Sequence, residues 1–306
     1  MKTRVLCAVV ALLFVAIQAS AQATPNHVFQ KTERIRAILE SLNQANYSND
    51  ESTMPPPEPA MPRHVLQVTR EIWRKTQLLR FMNGLPTSAL DPVPVQEITP
   101  TQVVIVVDQL LVQLVELKPA YGLMGEVAEV SLPTDKTPGD VLANLLRLSD
   151  LLDSLGVPTT VPNDVYQVAS SVLLNGIALA ESLGISEAQA TVNSVPEVTG
   201  KSPKDVYDEA LAMFADLDRL AKTQSVLAPK GGIFVPDPQA AKVTPGDVLL
   251  KIARAGADIN AMRAKSQTEG TSFQAPYLGG KTPSDVMHRV LQVRAVVDLI
   301  SQIQQS

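Results

Sequence analysis

The sequence predicts an all-α protein of eight repeated helices, arranged as a helical array or as two packed four-helix halves, with extended proline-rich connecting segments. Two observations carry this prediction: a helix-opening motif that recurs eight times, and behind each copy an apolar rhythm with the period of one helical face. A third, the proline and glycine between copies, keeps the connections extended.

Pro-x-x-Val occurs at Pro25, Pro62, Pro100, Pro138, Pro162, Pro203, Pro245 and Pro283, at intervals of 37, 38, 38, 24, 41, 42 and 38 residues. Near-equal spacing marks a repeat architecture. The fullest copies, such as Thr137-Pro138-Gly139-Asp140 and Thr282-Pro283-Ser284-Asp285, show what each part does. The hydroxyl can accept a first-turn N–H, and proline takes the position where its missing N–H costs nothing. The aspartate reaches back as in a capping box and faces the positive end of the helix dipole. The predicted structural caps are Thr99, Thr137, Asp140, Asp164, Ser202, Asp205, Thr244, Asp247, Thr282 and Asp285. Met61 and Val161 stand at two cap positions, and His27 and His64 replace two aspartates, so those starts are expected to be weaker.

Each copy then runs as one apolar face. The third gives Val103, Val107, Leu110, Leu114 and Leu117, and the fourth Val141, Leu145, Leu148, Leu152 and Leu155. The sixth gives Val206, Ala210, Met213, Leu217 and Leu220, and the eighth Val286, Val290, Val293, Val297 and Ile300. The residue four after each proline is also apolar (Phe29, Leu66, Val104, Leu142, Tyr166, Tyr207, Leu249, Met287), which makes the stripe wider than a coiled-coil seam. Gly176 on the fifth face is expected at a close helix crossing.

Most links are about 15 residues and can span about 50 Å extended at roughly 3.3 Å per residue, against about 30 Å for a 20-residue helix. They are long enough to run back along a helix, so successive helices can point the same way. A short second helix near 186–192 would instead give an alternating solenoid. The brief link 156–161 is expected to force the fourth and fifth helices into an antiparallel hairpin. It also divides the copies four plus four, with halves 22–156 and 157–306.

Residues 1–21 have the layout of a secretory signal: basic Lys2 and Arg4, an apolar run over 5–17, and Ala19-Ser20-Ala21 as cleavage site. Export, with the periplasm first and the extracellular space second, is the expected localisation, with no membrane span once the leader is cleaved. The single cysteine, Cys7, lies in that run, so no disulfide is expected. With 26 basic and 31 acidic residues, nucleic acid is not an expected partner. The middle of the chain is the most acidic, with Lys118, Lys136 and Arg147 its only bases between Asn83 and Gly200, and is the first place to look for a protein partner.

No catalytic, metal or cofactor constellation emerges. Gly200-Lys201-Ser202 and Gly280-Lys281-Thr282 end like a P-loop, but Val195 and Ala275 stand where its first glycine is needed. His27, His64 and His288 have no companion ligands at metal-binding spacing. The carboxylates Asp150 with Asp153, Asp216 with Asp218, and Asp205 with Asp208 and Glu209 read as solvated helix faces. Trp73 and Tyr47 in the basic N-terminal part, and Tyr121, Phe234 and Tyr277 in links, read first as clamps of links onto helices and second as binding anchors. The expected function is a non-catalytic protein-interaction or scaffold module whose partner the sequence does not name. The second expectation is a carrier of an apolar ligand between helices. The third is an enzyme assembled across repeats, to be sought at His27, His64, Arg74 and Asn175.

Overall fold

The structure, a computed structural model, describes residues 22–48, 52–238, 242–266 and 269–303. The secretory signal expected over residues 1–21 therefore lies outside the described residues. The described chain is all-helical: α1 (Pro25–Ala45), α2 (Pro62–Met82), α3 (Pro100–Val115), α4 (Pro138–Ser154), α5 (Pro162–Ser182), α6 (Ala188–Ser194), α7 (Pro203–Thr223), α8 (Pro245–Lys265) and α9 (Pro283–Ile303). Short 3-10 turns at Lys118–Tyr121 and Ser225–Leu227 follow α3 and α7. No helix among the described residues is long and apolar enough to cross a membrane.

Every long helix opens on its repeat proline, and the residue two after that proline closes the first turn. Asp140, Asp205, Asp247 and Asp285 accept from the N–H of Thr137, Ser202, Thr244 and Thr282 at 2.7–2.8 Å. Where the cap is Val161, Asp164 still accepts its N–H at 2.9 Å. Gln102 does the same for Thr99 at 2.5 Å, and the Nδ1 atoms of His27 and His64 do so for Thr24 and Met61 at 3.1 Å. The histidines therefore stand in for the carboxylate through their ring nitrogen.

The helices form two bundles with one topology. In the first, α1 and α2 each pack on α3 and α4, so α1/α2 and α3/α4 are the diagonals. In the second, α5 and α7 each pack on α8 and α9. The four prolines and first core valines of each bundle ring a single axial space of about 10 Å³, which puts all four N-termini at one end. Ser182, the last residue of α5, and Ser266, the residue that caps the C-terminus of α8, meet at 2.9 Å at the opposite end of the second bundle. The helices within each bundle are thus parallel, and the long links inside each bundle are return straps. The short helix α6 sits inside one strap and packs on α9 without reversing the direction of α7.

Parallel packing gathers four positive dipole ends. The second bundle answers with Asp164, Asp205, Asp247 and Asp285, whereas the first has only Asp140 beside His27, His64 and Gln102.

Two expectations fail. First, α4 and α5 are not an antiparallel hairpin: they belong to different bundles, and the link tucks Leu155 and Val157 into the first core before the chain crosses over. Second, the close crossing is not at Gly176, whose added Cβ would meet Val296 at an ordinary 3.9 Å. It is at Gly256, where a Cβ would lie 2.7 Å from Val172 and bring α8 against α5.

Candidate functional site

The bundles join where α2 packs on α8. Leu250 of α8 also reaches the first core. The joint is charged. Arg63 Nε donates to Asp258 Oδ1 at 2.6 Å, and its other nitrogens donate to the carbonyls of Lys230 (2.8 Å) and Gly232 (2.5 Å). His64 approaches the same Oδ1 at 2.8 Å. Because its Nδ1 accepts from Met61, the proton is on Nε2, which donates to Asp258. Asp258 is fully sealed from solvent and His64 is 1% exposed. Burial pushes the His64 imidazole below its usual value, against the pull of Asp258, while Arg63 and Arg254 add to the depression. Burial raises the Asp258 carboxyl, but His64 and Arg63 together hold it below the ordinary carboxylate range. The Phe234 ring meets His64 edge-on at 6.5 Å. A second ion pair closes the joint, with Arg254 donating to Glu58 at 2.8 Å and Lys251 near the same carboxylate at 3.6 Å.

Two straps cross the joint and pair with each other. Val95 N–H donates to Gly270 O at 2.9 Å and Ser272 N–H to Val93 O at 2.7 Å. On one side of this clasp lies a pocket of about 450 Å³ between Met61, Ile98, Lys230 and Ala264. On the other lies a cleft of about 310 Å³ whose walls come from α2, α5, α8 and both straps. Its lining includes Gln67, Arg70, Glu71 and Trp73 of the first bundle, and Asn260 and Phe273 of the second.

The repeat-breaking residues separate into roles. His27 is a cap. His64 is the inter-bundle hydrogen-bond donor. Arg74 pairs with Glu71 at 3.1 Å on the cleft wall. Asn175 donates to Phe273 O and accepts from Phe273 N–H, both at 3.0 Å, and also accepts from Arg263 at 2.5 Å. It is a strap anchor. His288 donates to Val195 O at 3.1 Å on another strap. Of the carboxylate groups read as solvated, Asp216 is a correction: its side chain is 5% exposed, bonded by Arg294 at 2.6 Å and Arg219 at 2.7 Å, because α9 covers that side of α7. Glu209 pairs with the same Arg294. Asp153 binds Lys75 across α2 and α4 at 2.6 Å.

Sequence reasoning missed Asp258, Arg63, Arg70, Gln67 and Asn260. The available signal was that they are charged or amide side chains on helices whose apolar faces are already complete. Among the described residues no group of three His, Cys, Asp or Glu side chains is placed to hold a metal ion. The arrangement offers hydrogen bonds, the half-buried guanidinium of Arg70 and aromatic walls, which is the equipment of a binding cleft. The chain matches no family model, and no curated protein or solved structure is significantly similar to it.

Proposed function

We propose that the chain is an exported, non-catalytic scaffold that binds a protein partner at the junction between its bundles, in the periplasm or the extracellular space. The supporting observation is the cleft itself: it is shared by helices and straps of both bundles, and a buried charge network fixes the two relative to one another. Carriage of an apolar molecule between the helices is less well supported, because each bundle interior is filled by one contiguous buried apolar core. A photo-crosslinking residue placed at Gln274, on the cleft wall, and another at Lys222, on the outer face of α7, test the reading in the native envelope. The same partner should be trapped from the first position and not from the second. Turnover that depends on named side chains, or equal trapping from both positions, would sink it.

A further inference from the structure

Three return straps follow one rule. The residue one after a helix-opening proline bonds the strap N–H two residues before the next strap-ending proline. Asn26 accepts from Lys136 at 2.8 Å, Asn163 from Lys281 at 2.7 Å, and Ser284 from Lys201 at 3.0 Å. The residue five after the helix-opening proline bonds the carbonyl eight before the strap-ending one. Gln30 donates to Val130 O at 2.6 Å, Gln167 to Ala275 O at 3.0 Å, and His288 to Val195 O at 3.1 Å. Even a cation over a ring repeats, with Lys136 4.5 Å from Phe29 and Lys281 4.6 Å from Tyr166. This fold therefore reads extended backbone along its helices with one polar side chain per turn.

Going round the ring in the same sense, the strap that ends at Pro100 belongs on α2. There Gln67 is five after Pro62, and Pro92 is eight before Pro100. That bond is not made, because this strap leaves its track to clasp Gly270 and Ser272. Among the described residues Gln67 has no hydrogen-bond partner and Arg70 no ion pair. Asn260 Oδ1 is buried without a hydrogen bond. All three line the same cleft. Burial lowers the Arg70 guanidinium from its ordinary value, while Glu71 and Asp91 pull the other way; Glu71 itself is turned to Arg74. A partly desolvated arginine without an ion pair is a fork suited to a carboxylate.

We propose that the cleft receives an extended peptide segment bearing a carboxylate side chain. The strand lies along α2 in the track its own strap has left. Gln67 donates to a strand carbonyl as Gln30 and Gln167 do, Asn260 accepts a strand N–H, and Arg70 pairs with the carboxylate. Phe273 and Trp73 flank the strand's apolar side. The inference rests on the interaction reading and adds the class of partner segment.

Trp73 is the only tryptophan of the chain and lines the cleft, so its emission reports occupancy. The purified chain is titrated with three capped, degenerate hexapeptide mixtures that carry a fixed central Glu, Gln or Lys. The Glu mixture should change Trp73 emission saturably, bind about tenfold more tightly than the Gln mixture, and outcompete the Lys mixture entirely. Arg70→Gln should remove the preference for Glu over Gln, and Gln67→Ala should weaken both several-fold, with melting temperatures unchanged. Absence of a response to any mixture, equal binding of Glu and Gln, or an R70Q chain that keeps its preference would overturn the proposal. Crosslinking at Gln274 to a folded, non-extended surface would overturn it while leaving the scaffold reading in place.

Discussion

His64 donates from Nε2 to Oδ1 of Asp258 across 2.8 Å, and the two residues belong to different bundles. Arg63, its neighbour in sequence, binds the same oxygen at 2.6 Å. One carboxylate of α8 thus holds the first turn of α2. Asp258→Ala should cost about 3–5 kcal/mol, the typical loss when one partner of a buried ion pair is removed and the other stays behind. Urea denaturation followed by Trp73 emission checks this; a loss within error would mean the joint does not depend on the charge.

The burial of that contact sets an acid sensitivity, because it outweighs the pull of Asp258 on the imidazole proton. The folded imidazole of His64 has a lowered affinity for protons relative to its ordinary value of 6.5. Below that value the unfolded chain takes up the proton more readily, so stability falls as pH drops through the window beneath about 6.5. His64→Gln should flatten that slope while keeping the helix cap, since Gln102 fills the equivalent position of α3. Thermal melts from pH 7.5 to 5 read the difference, and an unchanged slope in the variant would assign the sensitivity elsewhere.

Two glycines in identical local sequence make a test of tertiary packing. Gly139 and Gly246 each sit in Thr-Pro-Gly-Asp-Val. A Cβ on Gly139 would collide with the backbone carbonyl oxygen of Glu58, whereas one on Gly246 would lie no nearer than 3.7 Å to Thr160. Gly139→Ala should destabilise by about 1–3 kcal/mol. Gly246→Ala should be neutral or stabilising by up to about 1 kcal/mol through helix propensity. Equal effects would show that the strap does not press on α4.

The caps carry a separate, modest load. Thr282→Ala should lower stability by about 1 kcal/mol without altering occupancy of the cleft as seen by Trp73. Hydrogen bonds from Thr137 and Thr282 hold the carboxyls of Asp140 and Asp285 below their ordinary value of 3.8. That contribution is complete above 3.8 and is lost as pH falls below it. The gap between melts of the Thr282→Ala chain and its parent should therefore narrow at low pH without closing, since Thr282 Oγ1 also accepts the Asp285 N–H at 3.3 Å; a gap that does not narrow would remove the carboxylate from the cap.

Much of this architecture is written in local signals. Pro25 to Pro283 mark helix starts because N-caps and first-turn prolines act within four residues, and strap length alone permits parallel helices. The division after α4 is visible in the one short interval. What joins the halves is not visible. His64 and His27 have the same local role, and only the approach of α8 makes one of them a buried donor to Asp258. Asp216 resembles a solvated helix residue until α9 covers it, and the reversal at 156–161 looks like a hairpin until Leu155 and Val157 are found in the first core. Gln67 acquires meaning only when Gln30 and Gln167 are seen holding straps in three dimensions.

Straps, cleft and joint all require helices that run parallel within each bundle. The described chain contains no cysteine, so spin labels can be placed singly at Glu181, near the end of α5, and Lys265, the last residue of α8. A 21-residue helix is about 30 Å long. Pulsed electron resonance should give a label separation below about 25 Å, as interaxial spacings of about 10 Å require. A separation near or above about 30 Å would place those two ends at opposite poles and contradict the parallel bundle.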